Sequence, residues 1–120
     1  MRRLSVLRLS LAMLWAVACL AQGNETIQMR PVKAQILAGI VRAADQPIRN
    51  VHVEEWDEGW KHVLTSTMTD ADGHFRLTPV GKGPMHYLRI HAPNFNVSEY
   101  PVKLSRFARA ELQLAIYVGT

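Results

Sequence analysis

A strand, a tight turn and a second strand are predicted by residues 67–77, which read Thr67-Met68-Thr69-Asp70-Ala71-Asp72-Gly73-His74-Phe75-Arg76-Leu77. The carboxylates of Asp70 and Asp72 can accept hydrogen bonds from nearby backbone N–H groups, and Gly73 can adopt a positive φ without a Cβ clash. Phe75 and Leu77 then alternate toward one side, as the residues of a half-buried strand do. The stretch therefore predicts the corner of a β-hairpin, and turn chemistry accounts for both aspartates without catalysis.

Short runs of alternating apolar residues continue on both sides of this hairpin, separated by Gly, Pro, Asn and Asp. This spacing is typical of an all-β sandwich, and no helical period of useful length is present. Seven strands are predicted, at residues 35–42, 50–56, 61–69, 74–78, 85–92, 100–105 and 110–118. Their inward, core-forming positions are Leu37, Val41, Val51, Val53, Leu64, Met68, Phe75, Leu77, Leu88, Ile90, Val102, Leu104, Leu112, Leu114 and Ile116. The opposite positions are polar, as in a solvated antiparallel sheet.

The first 21 residues are typical of a secretory signal peptide helix, because a basic start precedes an apolar run over residues 9–20. That run is shorter than the roughly 20 residues of a transmembrane helix. Two processing routes stay open: cleavage after Ala21, or acylation of Cys19 within Ala16-Val17-Ala18-Cys19, which is similar to a bacterial lipoprotein box. We therefore predict an exported protein that is periplasmic, extracellular or associated with the outer membrane, with membrane attachment only through a lipid on Cys19.

The net charge of +4 overstates how basic the exported chain is. Three of the fourteen Lys and Arg residues lie in residues 1–21, which leaves eleven cations against ten acidic residues, a net charge of +1. These cations are scattered, which argues against a nucleic-acid partner. Cys19 is the only cysteine, so the fold has no disulfide and depends on its core. Residues 22–33 predict a polar tether, and residues 34–118 predict one β-sandwich domain.

Four different short motifs lie along this predicted domain, each present once. They are Leu37-x-Gly39-x-Val41, Gln46-Pro47-Ile48-x-Asn50-Val51-x-Val53, Thr69-Asp70-x-Asp72-Gly73-x-Phe75, and a run from Tyr87 to Ala92-Pro93-Asn94-Phe95. Together they resemble the carboxypeptidase regulatory-like domain family. The resemblance implies a transthyretin-like, prealbumin-type Greek-key sandwich, often secreted, that serves as an accessory, structural or binding module. In this reading Gly39 permits close approach of neighbouring strands. Asn94 stands where the family often has Gly, and Asn tolerates the same left-handed turn.

Two tryptophans flank an acidic turn in the run Trp56-Asp57-Glu58-Gly59-Trp60. Exposed paired rings can stack on sugars or bind a protein partner; alternatively, one ring caps the core and the other lies along the sheet. We take Trp56 and Trp60, with Asn94 and Phe95 of the 93–99 loop, as the predicted contact residues. The sequence thus predicts a non-catalytic binding or structural module with a protein or glycan partner in the cell envelope.

A small metal-dependent enzyme is the alternative function. Residues 51–56 with Thr69-Asp70-x-Asp72-Gly73 resemble intradiol ring-cleaving dioxygenases, which bind ferric iron through two Tyr and two His, but paired histidines on one strand are absent. The ending Tyr117-Val118-Gly119-Thr120 departs from the Tyr-Arg-Gly-Ser of transthyretin-like hydroxyisourate hydrolases. The histidine spacings do not favour a metal site, and Asp-x-Asp-Gly lacks the later carboxylate of an EF-hand. We therefore predict no catalytic residue, metal or cofactor.

Overall fold

Residues 25–119 are described by the computed structural model of this protein. The predicted signal peptide over residues 1–21 and the candidate lipidation site Cys19 lie outside the described residues. Within them, no helix is long and apolar enough to cross a membrane.

The described residues form strands and turns, so the expectation of an all-β chain is confirmed. Ten strands are present: β1 (Thr26–Gln28), β2 (Val32–Ala34), β3 (Ala38–Ala43), β4 (Gln46–Pro47), β5 (His52–Trp56), β6 (Val63–Met68), β7 (His74–Arg76), β8 (Met85–His91), β9 (Val97–Leu104) and β10 (Leu112–Ala115). Each of the seven predicted intervals overlaps one strand, although β9 begins three residues before the predicted interval 100–105 and β3 ends one residue after 35–42. The three additional strands are β1, β2 and β4, which have only two or three residues each and carry no extended apolar alternation.

The strands form two sheets. The large sheet has six strands in the order β1-β9-β8-β5-β6, and β2 also pairs with β9. The small sheet has four strands in the order β10-β3-β4, and β7 also pairs with β3. The expectation of antiparallel sheets was wrong in part: β1 and β2 run parallel to β9, and β10 runs parallel to β3, so both sheets are mixed.

The segment expected to be a tether, residues 22–33, contributes to the large sheet. β1 pairs with residues 97–99 of β9, and β2 pairs with residues 102–104 of the same strand. The N–H of Met29 also donates to the carbonyl of Glu99 at 2.9 Å. An apolar period is not needed for this pairing, because strands at a sheet edge are held mainly by backbone hydrogen bonds. Their presence covers what would otherwise be an open edge of β9.

One buried core lies between the sheets and draws on both. Its members are Ala34, Leu37, Val41, Val51, Val53, Phe75, Leu77, Leu88, Ile90, Ala92, Tyr100, Val102, Leu112, Leu114 and Ile116. Twelve of the fifteen predicted inward residues are in this set. Leu64 and Leu104 are only half-buried, and Met68 is exposed because it pairs with His52 on the outer face of the large sheet.

Tyr100 joins the two sheets across this core. Its hydroxyl accepts a hydrogen bond from the N–H of Ala115 and donates one to the carbonyl of the same residue, both at 2.9 Å. Burial raises the pKa of the Tyr100 phenol. The hydroxyl therefore stays protonated, and both backbone groups of Ala115 are satisfied inside the protein.

Glycine is required at two positions of the small sheet. A Cβ on Gly39 would lie 2.0 Å from the carbonyl oxygen of Leu112 in the adjacent strand, so the close approach of β3 and β10 depends on its absence. Gly73 has a φ of 78° in the turn between β6 and β7. The predicted β-hairpin is not formed, because β6 pairs with β5 in the large sheet and β7 pairs with β3 in the small sheet, so the turn leads the chain from one sheet to the other. In that turn one carboxylate oxygen of Asp70 accepts from the N–H groups of Asp72 and His74, each at 2.9 Å. Asp72 thus joins this network through its backbone.

Candidate functional site

The outer face of the large sheet carries a cluster of rings and charges. Alternation along β5 and β8 turns Val53, Glu55, His86, Leu88 and Ile90 toward the core, so the residues between them point outward. Trp56 of β5 pairs with Tyr87 of β8 in the sheet register. We call Trp56, Trp60, Tyr87 and Arg89 the aromatic face.

Arg89 is the centre of the aromatic face. Its guanidinium carbon lies 4.0 Å from the centroid of the Trp56 ring and 5.4 Å from that of Trp60, within the range of cation–π attraction. Its Nε donates to the carboxylate of Glu99 at 2.7 Å. Glu99 is itself buried and also accepts from the side-chain amide of Gln28. The charge of Arg89 is therefore neutralised, and the guanidinium covers one side of the Trp56 ring.

The turn after β5 fixes the position of Trp60. One carboxylate oxygen of Asp57 accepts from the N–H groups of Lys61 at 2.7 Å and His62 at 3.2 Å, and the other oxygen contacts His62 Nδ1 at 2.9 Å. The side-chain hydrogen bond from His62, followed by the backbone bond from Lys61, lowers the pKa of Asp57 from its ordinary value of 3.8 to about 2. Trp60 has a φ of 57° in this turn. Its ring meets Tyr87 edge-on, with centroids 5.7 Å apart.

A cleft of about 450 Å³ opens beside the aromatic face. It is lined by Asp57, Glu58, Gly81, Lys82, Pro84, Met85 and Tyr87. Tyr87 belongs to both the cleft and the aromatic face, so the two adjoin at this residue. The volume is within the range of small-molecule sites, roughly 300–1,000 Å³.

A buried ion pair fixes the loop on one side of the cleft. Glu55 and His86, both almost fully buried, meet with Oε2 and Nδ1 2.7 Å apart. The carboxylate of Glu55 also accepts from the N–H groups of Val80 at 2.7 Å and Gly81 at 3.1 Å. The other ring nitrogen of His86 lies 3.0 Å from the carbonyl oxygen of Gly83. Acceptor oxygens therefore hold the His86 ring at both of its nitrogens.

Trp56 and Trp60, the two predicted contact residues of the acidic turn, lie in this site. Trp56 is held by Arg89 and by a hydrogen bond from its Nε1 to Glu54 at 3.1 Å. Asn94 and Phe95 lie beyond the other end of β8, about 20 Å along a strand of this length. Phe95 packs partly against the core, and Asn94 adopts a φ of 71°. The structure therefore does not bring Asn94 and Phe95 to the tryptophans, whereas Glu99, at the other end of the predicted 93–99 loop, lies in β9 and binds Arg89.

Sequence reasoning missed Tyr87, Arg89, Lys82 and the Glu55–His86 pair. The alternation along β8 already places Tyr87 and Arg89 on one face, so this signal was available. No local pattern indicates the pairing of Glu55 with His86, which are 31 residues apart in the chain.

The remaining histidines and tyrosines are dispersed. The rings of His52 and His91 stack at 4.8 Å, and His91 Nε2 lies 3.2 Å from Glu54. Tyr100 lies in the core and Tyr117 is exposed near the last described residues. In residues 25–119, no group of three or more His, Cys, Asp or Glu side chains is arranged to hold a metal ion.

No protein-family model matches the sequence, and a comparison with curated proteins finds no match. The resemblance to the carboxypeptidase regulatory-like domain family therefore stays a prediction from short motifs. The geometry of the cleft and of the aromatic face is the basis for assigning a function.

Proposed function

We propose that this chain is an exported, non-catalytic binding module that recognises a saccharide of the cell envelope at the cleft beside Trp60 and Tyr87. One observation carries the proposal: the cleft combines the ring of Tyr87 with the carboxylates of Asp57 and Glu58 and the ammonium of Lys82. A sugar ring has apolar C–H faces that stack on aromatic rings, and hydroxyls that bond to charged groups. This composition matches a saccharide better than an extended apolar ligand.

Rigidity of the walls also supports binding. Trp60 packs edge-on against Tyr87 and is itself in contact with Arg89, and the Glu55–His86 pair holds the loop that carries Lys82. A site whose side chains are fixed before the ligand arrives loses less conformational entropy on binding. The pKa of Asp57, lowered to about 2, keeps its carboxylate ionised in mild acid as well as at neutral pH.

The fold we propose for the domain is a transthyretin-like Greek-key sandwich of the carboxypeptidase regulatory-like type. Seven of the ten strands overlap the intervals predicted from apolar alternation, and the two sheets contribute to one core. In this proposal β1, β2 and β4 are additions at the sheet edges. An experimental structure would test this proposal, because it would show whether the other seven strands are connected in Greek-key order.

Export is proposed on the sequence of residues 1–21. Mass spectrometry of the protein from a bacterial envelope fraction would give the mature N-terminus. A chain that begins at Gln22 supports cleavage after Ala21, whereas one that begins at an acylated Cys19 supports the lipoprotein route. A full-length chain with Met1 in the cytosolic fraction would overturn the proposal of export.

Intrinsic fluorescence is the assay that fits the saccharide site. The chain has three tryptophans, and beyond Trp15 the other two are Trp56 and Trp60. Titration of residues 22–120, which contain every described strand, with tetrasaccharides of glucose and of N-acetylglucosamine should change this emission, with hits extended on a glycan array. Tyr87→Ala and Lys82→Ala should each weaken binding by roughly tenfold, since each removes a contact of about 1.4 kcal/mol.

Tyr117→Ala is the matched control, because Tyr117 is an exposed tyrosine outside the cleft. It should bind as the unmodified chain does. Equal affinities of the Tyr87 and Tyr117 variants, or no saccharide bound anywhere on the array, would overturn the proposal. Near-ultraviolet circular dichroism of each variant shows whether the fold is kept, and Lys82→Ala changes only an exposed side chain.

A further inference from the structure

The loop after β9 presents an exposed phenyl ring among cations. Phe107 is 86% exposed, the highest fraction among the large apolar side chains of the described residues. The guanidinium carbon of Arg106 lies 5.0 Å from its ring centroid. A single exposed apolar side chain is common on protein surfaces, so Phe107 is informative only together with the cations of the same region.

Hydrogen bonds hold this loop in a defined conformation. The N–H of Ala108 donates to the carbonyl of Ser105 at 3.1 Å, and the N–H of Phe107 contacts the Ser105 hydroxyl at 3.3 Å. The N–H of Gln35 donates to the carbonyl of Arg109 at 2.8 Å, and its side-chain amide donates to Ala108 at 2.9 Å. The loop is thereby fastened to the residues that follow β2, and Phe107 is held at its tip.

Four cations lie on the loop of Phe107 and on the two strands that adjoin it. Lys33 and Lys103 are directly opposite each other in the parallel pairing of β2 with β9, and both are exposed. Like charges in such a pair repel, which destabilises the sheet unless an anion lies nearby. Arg106 and Arg109 follow on the adjoining loop. Among the ion pairs within residues 25–119, none involves these four side chains.

We propose that this basic corner, formed by Lys33, Lys103, Arg106, Phe107 and Arg109, docks on an anionic phospholipid surface. The cations contact the lipid phosphates, while the phenyl ring enters the boundary between headgroups and acyl chains. A bilayer offers phosphates to the cations and an apolar phase to Phe107, whereas a soluble polyanion offers only the anionic groups. None of the five residues lines the saccharide cleft, so the two proposals stand or fall separately.

Vesicle sedimentation tests the proposal with residues 22–120, which lack Cys19 and therefore any lipid of their own. Vesicles with about one-third phosphatidylglycerol should bind the protein, and pure phosphatidylcholine vesicles should not. Arg106→Gln with Arg109→Gln should lower the partition coefficient about 25-fold, at roughly fivefold per charge removed. Phe107→Ala should lower it at least about tenfold. High salt should release the protein.

Arg76→Gln is the charge control, since Arg76 is an exposed cation of the small sheet, and Val118→Ala is the apolar control. Both should bind as the unmodified chain does. The proposal is overturned if the unmodified chain ignores anionic vesicles, if it binds both kinds of vesicle equally, or if Arg76→Gln weakens binding as much as the corner variants do. Unchanged vesicle binding by Phe107→Ala, together with tight binding of soluble dextran sulfate, would assign the corner to a polyanion instead.

Discussion

Replacing Glu55 by Gln is the most informative perturbation of this fold. The glutamate carboxylate accepts from three donors: the ring of His86 and the backbone N–H groups of Val80 and Gly81. A glutamine has nearly the same shape, but its NH₂ group cannot accept a hydrogen bond. One of these donors would therefore face another donor, and the buried His86 ring would lose its carboxylate partner.

The expected cost follows from the burial of both partners. Removing one member of a buried ion pair costs about 3–5 kcal/mol, because the remaining charge is left uncompensated. The free energy of unfolding of a native domain is about 5–15 kcal/mol, so Glu55→Gln should remove a large part of it. At roughly 4–8 °C per kcal/mol for a domain of this size, the midpoint of thermal unfolding should fall by about 12–40 °C.

Urea unfolding followed by circular dichroism gives the free energy directly, and Glu54→Gln is the matched control. Glu54 is the neighbouring residue in β5 but lies on the outer face, where it contacts His91 Nε2 at 3.2 Å with 35% of the histidine side chain exposed. An ion pair so accessible to solvent is worth about 0–1 kcal/mol. The two substitutions thus compare one chemical change on the two faces of one strand.

Amide hydrogen exchange adds a local measurement. In Glu55→Gln the amide protons of Val80 and Gly81 should exchange faster, since their shared acceptor is weakened, whereas core amides of β8 should follow global unfolding. If Glu55→Gln costs no more than Glu54→Gln and leaves the exchange of these two amides unchanged, the reasoning about the buried pair is wrong.

Three further predictions test other parts of the structure. The Asp57 carboxyl, followed by carbon-13 NMR, should titrate near pH 2 because its folded pKa is lowered to about 2. Its contribution to stability is therefore complete above pH 3.8 and lost as pH falls through about 2, and Asp57→Asn should abolish this part of the acid dependence in urea titrations. Gly39→Ala should lower the free energy of unfolding, measured in urea, by at least about 3 kcal/mol, since its Cβ would lie 2.0 Å from the carbonyl oxygen of Leu112. A decrease below about 1 kcal/mol would contradict the close approach of β3 and β10. Tyr100→Phe should cost about 1–3 kcal/mol, because both backbone groups of Ala115 lose their partner, and a neutral result in the same assay would show that water replaces the hydroxyl.

Most of the individual strands could be predicted from the sequence. Alternating apolar residues located seven of the strands and most of the core, and Gly, Pro, Asn and Asp located the turns between them. Alternation and turn preference both depend on a few neighbouring residues, so they can be recognised in the sequence. Met68 is the informative exception. Its apolar side chain suggested the core, but its register opposite His52 places it on the outer face.

The candidate site could be predicted only in part. Trp56 and Trp60 were identified because they are close in sequence and flank one turn. Tyr87, Arg89 and Lys82 join them through the pairing of β5 with β8, which no local pattern specifies. Asn94 and Phe95, adjacent to the end of β8 in sequence, were drawn into the predicted site although the length of that strand separates them from the tryptophans.

By itself, the sequence determined that residues 25–119 are all-β, where the main strands and the turn at residues 70–73 lie, and that glycine is needed at residues 39 and 73. Tertiary structure alone decided the parallel pairing of β1, β2 and β10, the burial of the Glu55–His86 pair and the assembly of the cleft and the basic corner. The physical reason is the range of the interactions. Backbone conformation and side-chain alternation act between near neighbours, whereas sheet register and charge pairing join residues distant in sequence, such as Gln28 and Glu99, which are 71 positions apart.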